Sequence, residues 1–143
     1  MLKIDFSKVV TAEAGAAAAL DRAQTEAAAR LTALFEAAGA ALLDGVPRVE
    51  QLAWPARESA ARAVLAGAAT PLQAELLARE AKMTAEPVEV LAAAVVAEAE
   101  AFQRAAARLT GLRRAASAAL ADSATPGAVE ELLDAVAAKL AEG

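Results

Sequence analysis

The chain has 143 residues, enough for one domain of ordinary size, and 47 of them are alanine. Its formal net charge of -5 disfavours a protein whose main task is to grip a phosphate backbone, because that task requires a basic face. The complete lack of cysteine and histidine excludes disulfides, zinc sites of the usual nitrogen and sulfur type, thiol nucleophiles and imidazole catalysis.

Residues 1–10 alternate between apolar and polar side chains. Leu2, Ile4 and Phe6 recur with a period of two, which would place all three on one face of a strand. No later segment has a strand pattern, so such a strand has no partner within the chain. Two interpretations remain: a loosely packed extended arm, or a strand that adds to another subunit. Leu2, Ile4 and Phe6 are therefore candidate partner-docking residues.

The pattern becomes helical from about Thr11 to Leu43. Bulky and small apolar residues recur there at spacings of three, four and seven, namely Leu20, Ala27, Leu31, Leu34, Phe35, Ala38 and Leu42. Thr11 is a candidate N-cap, and Gly45 is a candidate stop. We therefore expect one long helix of about thirty residues.

The stretch GVPRVEQLAWPARESAARA contains the single tryptophan of the chain. A short helical turn is expected to start at Val46 and Pro47. Pro55 then fits the first turn of a new helix, because its missing N–H would have no acceptor there. Trp54 would lie at this joint and pack against the long helix before it, in the manner of a hydrophobic staple. We expect the new helix to end near Gly67.

Two later helices begin with the same pair of residues. Thr70 precedes Pro71 and Thr125 precedes Pro126, which predicts a threonine cap and a proline at the first helical position. In the first of these helices, the residues expected to face inward are Leu72, Leu76 and Leu77. Between the two helices, a second long helix of about thirty-five residues is expected to begin at Thr84.

These elements predict an all-α fold: a small helical bundle with two long helices and several short ones, preceded by the short N-terminal extended arm or strand. Residues 11–143 are expected to form a single helical domain in which the long helices lie antiparallel. Because alanine removes little apolar surface from water, the core must be thin. The residues expected to carry the packing are Trp54, Pro55, Phe35, Phe102, Leu31 and Leu109.

No pattern of catalytic, cofactor-binding or metal-binding residues emerges from the sequence. Glu98 and Glu100 lie two residues apart on a helix and point to different faces, so they cannot act together as general acid and base. No serine lies in a G-x-S-x-G motif, and there is no glycine-rich phosphate loop. We therefore expect no enzymatic activity, no cofactor, no metal and no small-molecule substrate.

The densest basic run comprises Arg104, Arg108, Arg113 and Arg114. Arg104 and Arg108 are four residues apart and share one stripe of the second long helix. Two interpretations remain for this stripe. It either balances nearby glutamates as a solvated charged face, or it receives an acidic partner surface or a phosphate.

The chain gives no sign of membrane insertion. Lys3 and the alanine run that follows resemble a secretion signal, but Asp5 and Glu13 interrupt the pattern. No run of 18 bulky apolar residues is present. We therefore expect a protein made in the cytoplasm, with neither a membrane nor a nucleic acid as its partner.

Three segments carry a family resemblance. They are V-P-x-V-E-x-L-A-W-P-A-R-E-S-A-A-R-A from Val46 to Ala63, A-T-P-L from Ala69 to Leu72, and the later A-F-Q-R-A-A-A-R-L-T-G-L-R-R-A. Together they resemble a family of small Ala-rich helical proteins and tail-fibre-associated domains encoded in bacteriophage tail regions. The opening L-K-I-D-F-S-K-V-V-T-A-E-A is similar too. The Trp54-Pro55 pair is the most specific part.

The resemblance implies a non-enzymatic structural or adaptor component of a phage tail or tail fibre, located in the virion. Its expected partners are other tail proteins and copies of itself. Two alternatives remain open. One is a tail-assembly chaperone that is absent from the mature particle, and the other is an unrelated bacterial helical interaction module.

Overall fold

The computed structural model describes residue 3 and residues 5–143, and it consists of helices joined by short turns. In chain order the five helices are α1 (Phe6–Leu42), α2 (Arg48–Leu65), α3 (Pro71–Thr84), α4 (Val88–Asp122) and α5 (Pro126–Ala141). The described part of the chain contains no strand. The predicted all-α fold with two long and several short helices is confirmed.

Helix α1 begins five residues earlier than its expected start at Thr11. Asp5 precedes the helix, and its carboxylate accepts hydrogen bonds from the Ser7 N–H at 3.1 Å and from the Ser7 hydroxyl at 2.6 Å. These bonds lower the pKa of Asp5. Phe6 and the four residues after it are therefore helical, within the segment 1–10 that was expected to be extended. Leu2 and Ile4 lie outside the described residues.

Helix α2 corrects the prediction that a new helix starts at Pro55. Pro47 is the N-cap, and its carbonyl accepts the N–H groups of Glu50 and Gln51 at 3.0 and 3.2 Å. Pro55 lies inside the helix, seven positions after its first residue, where it deprives the Gln51 carbonyl of its usual donor. The expected end near Gly67 is confirmed, with φ of 67° at that glycine.

The two threonine–proline starts form as expected. Thr70 accepts the Gln73 N–H at 3.2 Å, and the Gln73 side chain accepts the Thr70 N–H at 2.9 Å, which completes a capping box. Thr125 accepts the Ala128 N–H at 3.1 Å at the start of α5. The expected helix start at Thr84 is wrong, because Thr84 is the last residue of α3 and α4 begins at Val88.

The turn between α3 and α4 contains a backbone conformation that favours glycine. Ala85 is the C-cap of α3 and has φ of 57°, in the left-handed region where its Cβ is crowded. We expect Ala85→Gly to raise the free energy of unfolding by about 0.5–1 kcal/mol. The matched change Ala78→Gly, at an exposed position inside α3, should lower it by a similar amount. Urea unfolding followed by circular dichroism measures both free energies. A change in the same direction for the two variants would contradict the left-handed conformation of Ala85.

The helices form two compact units, and the single helical domain expected over residues 11–143 stays a prediction. Unit 1 comprises Met1–Gly39 and Arg108–Gly143, and unit 2 comprises Ala40–Ala107. Helices α1 and α4 each contribute residues to both units. Each unit has its own cluster of buried side chains.

The core of unit 1 joins α1, α4 and α5. Its buried residues are Ala27, Leu31, Phe35, Ala116, Leu120, Val129, Leu133 and Val136, and Leu109 packs against them while partly exposed. The Gln24 side chain of α1 donates to the carbonyls of Leu120 and Ser123 near the end of α4, at 3.1 and 3.2 Å. Phe35, further along α1, lines a small pocket with Leu109, earlier in α4. In this unit α1 and α4 therefore run antiparallel, as expected.

The core of unit 2 joins α2, α3 and α4 through small side chains. Ala60, Ala61 and Ala92 have no exposed surface, so a methyl group fills the space at each. Leu77 is the largest fully buried side chain of this unit. The prediction that Leu72 and Leu76 also face inward is wrong, because both are exposed.

Candidate functional site

Unit 2 contains an open apolar cleft of about 760 Å³. We call it the aromatic cleft. Its apolar lining comprises Leu42, Leu43, Trp54, Pro55, Val95, Ala99, Ala101, Phe102 and Ala105. Its polar lining comprises Gln51, Arg57, Glu58, Glu98 and Gln103. Its size and mixture of apolar walls with a few polar groups are typical of a binding site.

Two aromatic rings form one wall of the aromatic cleft. The centroids of Trp54 and Phe102 lie 5.1 Å apart with an interplanar angle of 67°, an edge-to-face arrangement that aromatic pairs favour. Trp54 is partly buried and lies within α2, so it does not mark a helix joint as expected. Its ring partner is on α4. The predicted packing residues Trp54, Pro55 and Phe102 thus meet at one surface.

Arg57 ties α2 to both neighbouring helices beneath this surface. Its guanidinium makes a bidentate contact with the Glu80 carboxylate, with the Nε to Oε2 distance at 2.9 Å. A third nitrogen lies 3.6 Å from Glu98. The hydrogen bonds that Arg57 donates to the Glu80 carboxylate raise the pKa of Arg57 above its ordinary value, so the guanidinium stays charged. Arg57 thus connects α2 to α3 closely and to α4 through a longer contact.

The two glutamates of the cleft differ in their hydrogen-bond partners and in their exposure. Glu58 accepts hydrogen bonds from Arg62 at 3.1 Å and from Gln103 at 3.0 Å, and its side chain is mostly buried. The Glu98 side chain is 73% exposed, and its contact with Arg57 is long. Glu98 therefore presents the more accessible negative charge at the edge of the cleft.

The two arginines expected to share a docking stripe lie in different units. Arg104 belongs to unit 2 and pairs with Glu100 at 3.1 Å, one turn earlier on the same helix. Arg108 belongs to unit 1 and donates to the Lys139 carbonyl at 2.6 Å in the last turn of α5. Arg108 thus satisfies a carbonyl that the helix end leaves without a backbone donor.

Apolar side chains are exposed on surfaces that the sequence patterns did not single out. On α3, Leu72, Leu76 and Met83 are 62%, 42% and 89% exposed, and their spacings of four and seven place them on one stripe. Leu77 and Ala81 occupy the buried face of the same helix. The helix therefore carries apolar residues on two faces, and the spacing of apolar residues in the sequence does not show which of the two is buried.

Replacement of Trp54 tests how strongly the aromatic wall stabilises unit 2. Because the ring is partly buried, we expect Trp54→Ala to lower the free energy of unfolding by about 1–3 kcal/mol, below the cost of removing a fully buried indole. Trp54→Phe retains an aromatic contact with Phe102 and should cost less. Urea unfolding followed by circular dichroism measures both, and an unchanged stability for Trp54→Ala would show that the ring pair contributes nothing.

Two further observations concern the described residues as a whole. None of their acidic residues form a group of three or more that could hold a metal ion. Within residues 5–143, none of the helices combines the length and the apolar character that a membrane span requires.

Comparison with known proteins returned no relative. No family model, no curated protein and no solved structure matches this chain.

Proposed function

We propose that this protein is a non-enzymatic structural or adaptor component that acts by packing its helices against copies of itself and against other proteins. The main observation behind this proposal is that many large apolar side chains are exposed to solvent. Among the described residues these are Phe6, Val9, Val10, Leu42, Val49, Leu52, Leu65, Leu72, Leu76, Met83 and Val90. Among them, Leu72, Leu76 and Met83 share one face of α3, and exposed apolar residues grouped in this way are typical of interaction surfaces.

The polar groups of the aromatic cleft fit this role better than a catalytic one. Arg57 and Glu58 are occupied by ion pairs and hydrogen bonds that connect helices. Glu98 is well solvated, and an exposed carboxylate lacks the burial that tunes catalytic acids. The cleft therefore supplies apolar area and one accessible charge, which suits a docking surface.

We further propose a bacteriophage tail or tail fibre as the setting, with the protein made in the host cytoplasm and retained in the virion. Support comes from the resemblance of the segment around Trp54-Pro55 and of the opening segment to Ala-rich helical proteins of phage tail regions. The exposed apolar surfaces agree with an assembly in which neighbouring proteins cover them.

Quantitative mass spectrometry of purified particles tests the proposed setting. We expect the protein in particles that have been freed of cytoplasmic protein, at a fixed ratio to known tail proteins. Chemical cross-linking of the same particles should join its lysines to neighbouring tail proteins or to other copies. Absence from the particle would contradict a structural role and would indicate an assembly chaperone.

A further inference from the structure

We propose that α3 is a dimerisation helix, and that the α3 helices of two copies of the chain pair antiparallel across a two-fold axis. The contact face comprises Leu72, Leu76, Arg79 and Met83, and we call it the α3 seam. This inference rests on the proposed function, since it names a surface through which copies of the chain join. The occupant of the seam is the same seam of a second copy.

The α3 seam has the spacing of a two-helix interface. Its four residues follow one another at intervals of four, three and four, which is the a/d repeat of paired helices. Leu72, Leu76 and Met83 are 62%, 42% and 89% exposed. Leu77 and Ala81 lie on the roughly opposite face and are buried in the core of unit 2. The helix therefore carries a second apolar face that the described chain leaves in contact with solvent.

An antiparallel pairing matches the residues of the seam in size and polarity. Antiparallel helices bring each a position of the repeat opposite a d position of the partner. With the two-fold axis between residues 77 and 78, Leu72 faces the partner's Met83, and Leu76 faces the partner's Arg79. The aliphatic stem of Arg79 then covers a leucine while its guanidinium stays at the edge, as long charged side chains do on apolar surfaces.

The charges along one edge of the seam are complementary in this orientation. Glu75 and Lys82 occupy g positions of the repeat, so they lie on the same edge, and both are exposed. A two-fold axis perpendicular to the helices brings like edges together, so Glu75 lies near the partner's Lys82, and this pair occurs twice. Within its own helix Arg79 contacts only Oε1 of Glu75, at 2.7 and 2.9 Å. Oε2 is therefore left for the lysine of the second copy.

The other edge of the seam carries no opposing charge. It is formed by Gln73 and Glu80, and Arg57 of α2 already neutralises Glu80 through a bidentate contact. Gln73 donates to the Ser59 hydroxyl of α2 at 3.3 Å. In the antiparallel pair Glu80 faces the partner's Gln73. Helix α2 therefore lies along this edge and leaves the opposite edge open.

A parallel pairing of the same seam is unfavourable. Parallel helices match each g position with an e position of the partner, which brings Glu75 near the partner's Glu80 twice. They also bring each d position opposite d, so the two Arg79 guanidiniums meet in one layer. Like charges in such positions repel. The charge pattern of α3 therefore favours the antiparallel orientation.

Because the same surface is used by both copies, the contact is isologous and closes as a dimer. The seam spans about three turns of helix. Such a contact buries less than the roughly 1,200–2,000 Å² of a standard interface. We therefore expect weak association, with a dissociation constant on the order of 0.1 mM.

Reversal of the charges on the open edge gives the first test. Glu75→Lys places a lysine opposite the partner's Lys82, and Lys82→Glu places a glutamate opposite the partner's Glu75. Each variant alone should associate about tenfold more weakly than the unchanged protein. An equimolar mixture restores opposite charges at both pairs and should associate at least as tightly as the unchanged protein. Sedimentation equilibrium at up to roughly 1 mM measures each dissociation constant.

Matched controls carry the same charge changes on another helix. Glu131→Lys changes an exposed position of α5. Lys139→Glu changes the last turn of α5, as Lys82→Glu changes the last turn of α3. Both controls should associate like the unchanged protein. Circular dichroism of every variant verifies that helix content is retained.

Disulfide formation between introduced cysteines reports the orientation, because the chain has no cysteine of its own. In the antiparallel pair Leu72 faces the partner's Met83, whereas each of these residues lies about 16 Å along the helix from the same residue of the second copy. A disulfide requires Cα atoms within about 7 Å. Oxidation of a mixture of Leu72→Cys and Met83→Cys should therefore give mainly the mixed disulfide. Ala78→Cys, at an exposed position on another face of α3, measures the collisional background.

Three results would overturn the pairing. Tighter association of Glu75→Lys, with disulfides between identical positions, would show that the helices pair in parallel. Charge variants that associate like their controls, or a mixed disulfide at the background level, would place any self-contact elsewhere. An unchanged protein that stays monomeric at roughly 1 mM would exclude the contact. The proposed function fails by a separate result, the absence of the protein from purified particles in mass spectrometry.

Discussion

Leu77→Ala is expected to lower the free energy of unfolding by about 2–5 kcal/mol, a large share of the stability of a small domain. Leu77 is 1% exposed and packs in the core of unit 2 beside Ala60, Ala61 and Ala92. Alanines on rigid helices have no side-chain torsions with which to fill a new space, so the cavity stays open. The cost should therefore lie in the upper half of that range.

Leu72→Ala is the matched control for this change. Leu72 lies on the same helix and is 62% exposed, so the same truncation should change stability by less than about 0.5 kcal/mol. Urea unfolding followed by circular dichroism gives both values. Equal losses for the two variants would mean that α3 does not bury the face that contains Leu77 and Ala81.

Local signals in the sequence were sufficient to predict some of the helix ends. Thr70-Pro71 and Thr125-Pro126 predicted two helix starts, and both form with the threonine side chain as cap. Gly67 predicted the end of α2 and adopts the positive φ that glycine allows. These predictions succeed because caps and stops depend on a few neighbouring residues.

Pro55 and Thr84 show where local signals mislead. Proline is favoured in a first helical turn, yet Pro55 lies inside α2, because the apolar periodicity on both sides of it supports one continuous helix. Thr84 has the chemistry of a cap but ends α3. The surrounding structure overrides a cost of about 3 kcal/mol for a proline inside a helix, and a capping preference of about 1 kcal/mol at Thr84.

Only part of the aromatic cleft could be predicted from the sequence. Trp54 was predicted to be important because it is the single tryptophan of an alanine-rich chain, and Phe102 was predicted to be a packing residue. Nothing in the sequence indicates that these two side chains contact each other. The same holds for Arg57 and Glu80, which lie on different helices. Pairings over tens of residues depend on how helices dock, and alanine-rich faces leave few distinctive side chains to indicate the docking.

The division into two units also follows from packing that periodicity does not report. The stripes of α1 and α4 are continuous in the sequence, so each was expected to serve one core. The stripe of α4 instead contributes to two separate cores, because its C-terminal part packs with α1 and α5 in unit 1 and its N-terminal part packs with α2 and α3 in unit 2. The core residues of α1 belong to unit 1 alone. Periodicity reports the face that a helix buries and does not report which partner covers each part of it.

Phe35→Ala is expected to lower the free energy of unfolding by about 3–5 kcal/mol. Phe35 is 8% exposed and packs in unit 1 with Leu31 and Leu120, so its ring is the only aromatic one in that core. Loss of the ring leaves a cavity in the core that α1, α4 and α5 form together. Unfolding in urea, followed by circular dichroism, measures the cost.

Phe6→Ala is the control that separates burial from residue type. Phe6 and Phe35 lie on the same helix and, by helical spacing, on the same face, yet Phe6 is 73% exposed. We expect Phe6→Ala to change the stability of the monomer by less than about 0.5 kcal/mol. A large loss of stability would instead mean that the first turns of α1 pack against other helices of the same chain.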